Sequence, residues 1–68
     1  MRVRDIQKGD IITYKHGKVN HVNKPDQYRL YFDSDFRNCE VPGVEIVKIQ
    51  RYVKTLWFYR LKTIWRRK

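Results

Sequence analysis

The chain is poor in the residues that usually staple or break a small protein: one cysteine, one serine, two prolines and three glycines in 68 residues. Cys39 has no partner for an intramolecular disulfide, and a lone thiol suits a reducing compartment better than a secreted one. Ser34 is the only serine, and nothing local supports a nucleophile–base–acid set built on it or on Cys39. Long hydrophobic runs are missing as well. The longest uncharged stretches are five residues, such as Thr55–Tyr59, where a membrane-crossing helix needs about 20. The opening MRVRDIQKGD has no apolar core of the kind a secretory leader carries, so the expected location is cytoplasmic. There is no Gly-rich phosphate loop. Acidic residues disappear altogether after Glu45.

That last absence defines what is present. From Lys48 to Lys68 there are eight Lys+Arg and no Asp+Glu, a charge of +8, whereas residues 1–47 hold eight Lys+Arg against seven Asp+Glu, or +1. Almost the whole net charge of +9 therefore sits in the last third, which points to a polyanionic partner. The same stretch, RYVKTLWFYRLKTIWRRK, contains both tryptophans. A chain this short buries only about 60% of its extended surface. Its ten aromatic residues must supply much of the core, each burying on the order of 150–250 Å².

In chain order, Lys8-Gly9-Asp10 reads as a turn in which Gly9 takes positive φ and Asp10 bonds local backbone. Ile11–Tyr14 and Val19–Val22 read as a β-hairpin with His16-Gly17 at its tip. In that register Tyr14 faces Val19, Ile12 faces His21, and Lys15 lies opposite Lys18. Asn23–Asp26 reads as a second turn around Pro25. Gln27–Phe32 alternates, with Tyr28, Leu30 and Phe32 on one side, and reads as a half-buried strand. Asp33–Gly43 reads as a loop with a turn at Asp33, and Val44–Ile49 as another strand. From Arg51 the spacing lengthens: Val53, Trp57, Leu61 and Ile64 recur at helical intervals, which predicts an amphipathic helix over 51–68. The alternative is a strand over Tyr52–Tyr59, with Val53, Thr55, Trp57 and Tyr59 on one face.

The words Gly9-Asp10-Ile11-Ile12-Thr13-Tyr14 and Gly17-Lys18-Val19 resemble the opening of Src-homology-3-like small barrels. Together with Tyr31-Phe32-Asp33 and Glu45–Arg51 they also resemble small uncharacterised proteins of phages and prophages of Gram-positive bacteria. The resemblance covers roughly residues 5–51, and the Trp- and Arg-rich tail departs from it. It implies a small β-rich domain, with no catalytic residues carried over. The expected fold is one domain over residues 1–68, mainly β (α+β). It would comprise a β-rich body over 1–50, a curved antiparallel sheet or Src-homology-3-like barrel of four or five strands, and the C-terminal helix.

Other constellations do not add up to chemistry. Asp33, Asp35 and Glu40 could hold a divalent cation, but counting from Asp33 an EF-hand loop would need Gly at Asn38 and Glu at Val44. Caps, turns and a partner for Arg37 are the simpler roles. His16, His21 and Cys39 lack zinc-ligand spacing, and Cys39 suits a buried or half-buried free thiol. No cofactor or metal is expected, and no enzyme activity. Nucleic-acid binding wants cations for phosphates and rings for bases. The candidates are Lys15 and Lys18 at the hairpin tip, with Lys54, Tyr59, Arg60, Lys62, Trp65, Arg66, Arg67 and Lys68 in the tail. The need for burial favours Trp57 as core, whereas Trp65 suits core and surface equally. A protein partner, including a host enzyme blocked by a phage-type inhibitor, is the alternative. Membrane-surface association through the amphipathic helix comes third.

Overall fold

Two stretches rich in β-branched residues, Ile11–Tyr14 (β1) and Ile46–Lys54 (β3), lie side by side in the computed structural model, which describes residues 1–68. Val19–His21 (β2) flanks β1, and Tyr59–Arg66 (β4) flanks β3. The sheet order is β2-β1-β3-β4 with every neighbouring pair antiparallel. β2 and β4 are free edges, so the sheet is open and no barrel forms. A 3-10 turn (Val3–Asp5) and one short helix, Pro25–Tyr31 (α1), complete the fold.

The first hairpin forms with a register one residue away from the expected one. Ile11 pairs with His21, Ile12 with Asn20 and Thr13 with Val19. The loop has three residues, Lys15-His16-Gly17, not two. The Gly17 N–H donates to the Tyr14 carbonyl (2.9 Å), and the Tyr14 N–H donates to the Lys18 carbonyl (2.9 Å). Gly17 sits at φ +94°, the left-handed position that closes a three-residue loop with a bulge. Lys15 and Lys18 are therefore not a cross-strand pair.

Gln27–Phe32 is not a strand. Its first five residues continue from Pro25 as α1, with Phe32 capping the end. Pro25 occupies the first turn, where its missing N–H costs nothing, and Asp26 bonds Arg29 one turn on at 2.7 Å. Tyr28 and Phe32, four residues apart, share the buried face with ring centroids at 5.7 Å. Leu30, expected on that face, is 72% exposed. Apolar residues at i, i+2 and i+4 satisfy both periods over so short a run; the i, i+4 pair is the one that counts here.

The C-terminal helix is also absent. β3 runs straight through Arg51 to Lys54, and the chain turns back over Thr55–Phe58 into β4. The alternative of a single strand over Tyr52–Tyr59 does not hold either: Tyr52–Lys54 ends β3, Thr55–Phe58 turns and Tyr59 begins β4, which puts Val53 and Tyr59 on opposite faces. Tyr, Val, Thr, Trp, Phe and Ile dominate the stretch, and all favour pleated structure.

The core lies on one face of the sheet. Ile12, Ile46 and Ile49, each fully buried, meet Val3 and Ile6 in and just after the 3-10 turn, Val22 just after β2, Tyr28 of α1, and Phe32 and Phe36 of the 32–45 loop. Trp65 packs half-buried against this cluster, tilted on Phe36 with centroids 4.2 Å apart. Ile11 is buried but outside the cluster, since its register sets it on the opposite face. Gly9 and Asp10 behave as expected: Gly9 adopts φ +92°, and Asp10 Oδ2 accepts from the Gln7 N–H at 2.9 Å.

Candidate functional site

β1 pairs with β3 only as far as Gln50, opposite Ile11. Beyond it β3 and β4 pair with each other alone, from Arg51↔Lys62 through Tyr52↔Leu61 and Val53↔Arg60 to Lys54↔Tyr59. The result is a two-stranded arm that gives the molecule an elongated shape of 42 × 22 × 18 Å. Its turn has no Gly, Pro, Asn or Asp. The Thr55 side chain closes it: Oγ1 donates to the Phe58 carbonyl (2.7 Å) and accepts from the Phe58 N–H (3.3 Å), while the Thr55 N–H donates to the same carbonyl (2.8 Å). At the tip Leu56 is 89% and Trp57 91% exposed. The expectation that Trp57 is core is thus reversed. The core ring is Trp65, because it is the one opposite Ile49 on the buried face.

The candidate residues divide between two ends of the molecule. Lys54, Tyr59, Arg60 and Lys62 lie on the arm, all exposed. Lys15 and Lys18 lie at the far end of the sheet, where the Lys15 N–H donates to the Glu45 carbonyl at 2.8 Å. Arg66, Arg67 and Lys68 return to that same end, since Arg66 pairs with Lys48 at the start of β3. No single face gathers all ten.

Arg67 has a structural position. Its guanidinium donates to the Ile46 carbonyl (3.1 Å) and the Asp35 carbonyl (2.5 Å), and stands 5.5 Å from the Trp65 ring centre. It fastens the 33–37 turn to β3 through Nε and Nη2, with Nη1 making no bond. Arg51 is likewise occupied, by Asp10. Only Arg29, Arg37 and Arg51 form ion pairs with carboxylates. Lys54, Arg60, Lys62, Arg66 and Lys68 have none.

The acidic loop residues take structural roles. Asp33 Oδ1 accepts from the Asp35 and Arg37 N–H groups (2.8 and 3.1 Å), and Arg37 bridges Asp35 and Glu45. Cys39 is exposed, contrary to expectation, because it opens a stretch, residues 39–43, that is exposed throughout.

Sequence reasoning did not foresee the cleft beside α1. It is open, about 440 Å³, and lined by Tyr14, Asn20, Lys24, Tyr28, Tyr31 and Asn38 among others. His16, Tyr14, Phe32 and Tyr28 form a row of near-parallel rings, with centroids 5.6, 6.2 and 5.7 Å apart. Asn20 Nδ2 donates to the Tyr28 hydroxyl oxygen at 2.5 Å. Burial, and next the neighbouring Tyr14, pushes the Tyr28 pKa well above the ordinary 10.0, with the Asn20 bond opposing. The hydroxyl stays protonated, so it cannot act as a base or nucleophile near neutrality. The cleft lining includes no carboxylate, thiol or serine.

The molecule is thus defined as a small, mainly β, open-sheet domain with a basic, aromatic arm. No family model matches the chain, and neither a curated protein nor a solved structure matches it.

Proposed function

We propose that this is a non-enzymatic nucleic-acid-binding domain that grips its polyanion with the β3–β4 arm. One observation carries the reading: Lys54, Arg60 and Lys62 project from a ribbon with no acidic residue on either strand, and none has a carboxylate partner. Cations without intramolecular partners need not break an ion pair before meeting a phosphate. Tyr59 and Trp57 supply exposed rings beside them, and Arg66 and Lys68 extend the field toward the body.

Binding of a labelled oligonucleotide should weaken steeply with salt, with a log–log slope of roughly −3 to −5 for four to six phosphate contacts. Replacing Lys54, Arg60 and Lys62 by Ala together should flatten that slope by about 2–3. Absence of binding by the wild type at about 50 mM salt overturns the reading.

A second reading has its own support. Leu56 and Trp57, with Phe58 at 61% exposure, make an apolar tip that nothing in the monomer covers. A protein partner with an apolar pocket and an acidic rim suits that tip. A phage-type inhibitor that occupies a host protein's surface would work this way. The complex would be stoichiometric and survive moderate salt. Membrane-surface association loses the amphipathic helix on which it rested.

A further inference from the structure

Resting on the nucleic-acid reading, we propose that the uncovered face of the sheet is a platform for single-stranded nucleic acid, on which Tyr52 and Tyr59 stack unpaired bases. The 3-10 turn, α1 and the 32–45 loop all pack on the face that carries Ile12, Ile46 and Ile49. On the other face the one buried residue is Ile11. Side chains alternate along a strand and directly opposed residues share a face, so the register fixes what that outer face carries. The pairs Lys48↔Arg66, Gln50↔Thr63, Tyr52↔Leu61 and Lys54↔Tyr59 follow one another from the body to the arm.

Three properties of this row fit a single strand. First, it holds rings with their faces free. Tyr52 is 55% and Tyr59 66% exposed, and the ring pairs of the molecule involve other residues. The two tyrosines are diagonal neighbours, which puts them about 7–8 Å apart, about twice the 3.4 Å step of stacked nucleotides. Second, cations flank the rings at both ends, Lys54 toward the tip and Lys48 with Arg66 toward the body. A backbone running along β3 therefore meets positive charge before and after its stacked bases. Third, the face has no carboxylate to repel phosphates. A duplex gains little here, because its bases already cover each other's faces, whereas unpaired bases stack on any exposed ring with little regard to sequence.

The test compares a labelled single strand of about 12 nucleotides, within the usual site sizes, with its duplex at one low salt concentration. Wild type should prefer the single strand by about tenfold or more. The double variant Y52L/Y59L keeps apolar bulk in the ribbon and removes both rings. It should lose about 25-fold in single-strand affinity, or ~5-fold per ring, with duplex affinity within about threefold of wild type, circular dichroism confirming the fold. Photo-crosslinking of wild type to a halogenated single strand avoids the question of folding, and adducts should map to Tyr52 or Tyr59. Single-strand affinity unchanged in Y52L/Y59L, or adducts confined to Trp57 or the body, overturns the platform. The arm reading survives that result if K54A/R60A/K62A still weakens binding. No binding of either form by wild type ends both.

Discussion

Asp10 is the only charged side chain sealed in the body, 1% exposed, and Arg51 meets it with two bonds, Nε to Oδ1 at 2.7 Å and Nη2 to Oδ2 at 2.8 Å. The same Nη2 donates to the Asp5 carbonyl at 2.9 Å, tying the N-terminal turn to the root of the arm. This bonding to Asp10 raises the Arg51 pKa above its ordinary value despite partial burial, so the guanidinium stays charged. Removing one partner leaves a bare buried charge, which is more harmful than lacking the pair altogether. Arg51→Ala should cost about 3 kcal/mol in urea unfolding, and adding Asp10→Asn should restore part of it. A loss below about 0.5 kcal/mol in Arg51→Ala would show that the pair is not holding the turn. Tyr28 gives a pH-dependent counterpart. Its folded pKa is raised, so the stability it contributes is full below the unfolded value of 10.0 and drains away as pH rises beyond it, when the unfolded chain ionises first. Denaturation midpoints of wild type should therefore fall more steeply above pH 10.0 than those of Tyr28→Phe. That variant should also start about 1 kcal/mol lower for the lost Asn20 bond.

At the scale of elements, the arm and the body differ in what holds them. The body has a buried apolar layer; the arm has ladder bonds, cross-strand pairs and the Thr55 clasp. Trp57→Ala should leave stability within about 0.5 kcal/mol, whereas Trp65→Ala, which removes the ring against Phe36, should cost about 2–3 kcal/mol. With Trp65 replaced by Phe, emission from Trp57 should match indole in water and be quenched by iodide. Amide exchange of residues 52–59 should outpace that of Ile12 and Ile49, since their only backbone partners lie in the other arm strand. This division was only partly legible in the sequence. The Gly9-Asp10 turn, the two strands of the first hairpin and the start of β3 carry turn residues or β-branched runs that mark them. The second hairpin carries no marking residue at its turn, because a threonine hydroxyl does there what Asn-Gly does elsewhere. Without that signal, Val53, Trp57, Leu61 and Ile64 fall into helical intervals by coincidence. The density of β-branched and aromatic residues over 52–65 was the signal that favoured strands. The one-residue shift in the first hairpin has a similar origin: Gly17 suits a two- or a three-residue loop, and only the meeting of Ile12 with Ile49 across β1 and β3 decides which face turns inward.

For the whole molecule, the excess charge that was visible in the sequence becomes two groups along a 42 Å axis. Lys54, Arg60 and Lys62 stand at the arm, and Lys15, Lys18 and Lys68 belong to the other end. Separated by several Debye lengths of about 8 Å at physiological salt, the two groups would act on the proposed polyanion as independent anchors, joined only by the ligand itself. The outer face with Lys48, Arg66 and the two tyrosines lies between them. Ligand length should therefore control which residues matter. A single strand of about 6 nucleotides, near 20 Å at 3.4 Å per nucleotide, reaches one end only; its affinity should fall in K54E/R60E/K62E and be unaffected by K15E/K18E. A strand of about 18 nucleotides spans the long axis, and there both variants should weaken binding, with salt slopes that add. Equal sensitivity of the short strand to both variants would mean that net charge, not its placement, governs binding, and would remove the arm as the site. Sensitivity of the short strand to K15E/K18E alone would move the site to the ring row that ends at His16, where Lys15 and Lys18 flank the one stacked ring that reaches the solvent-exposed turn.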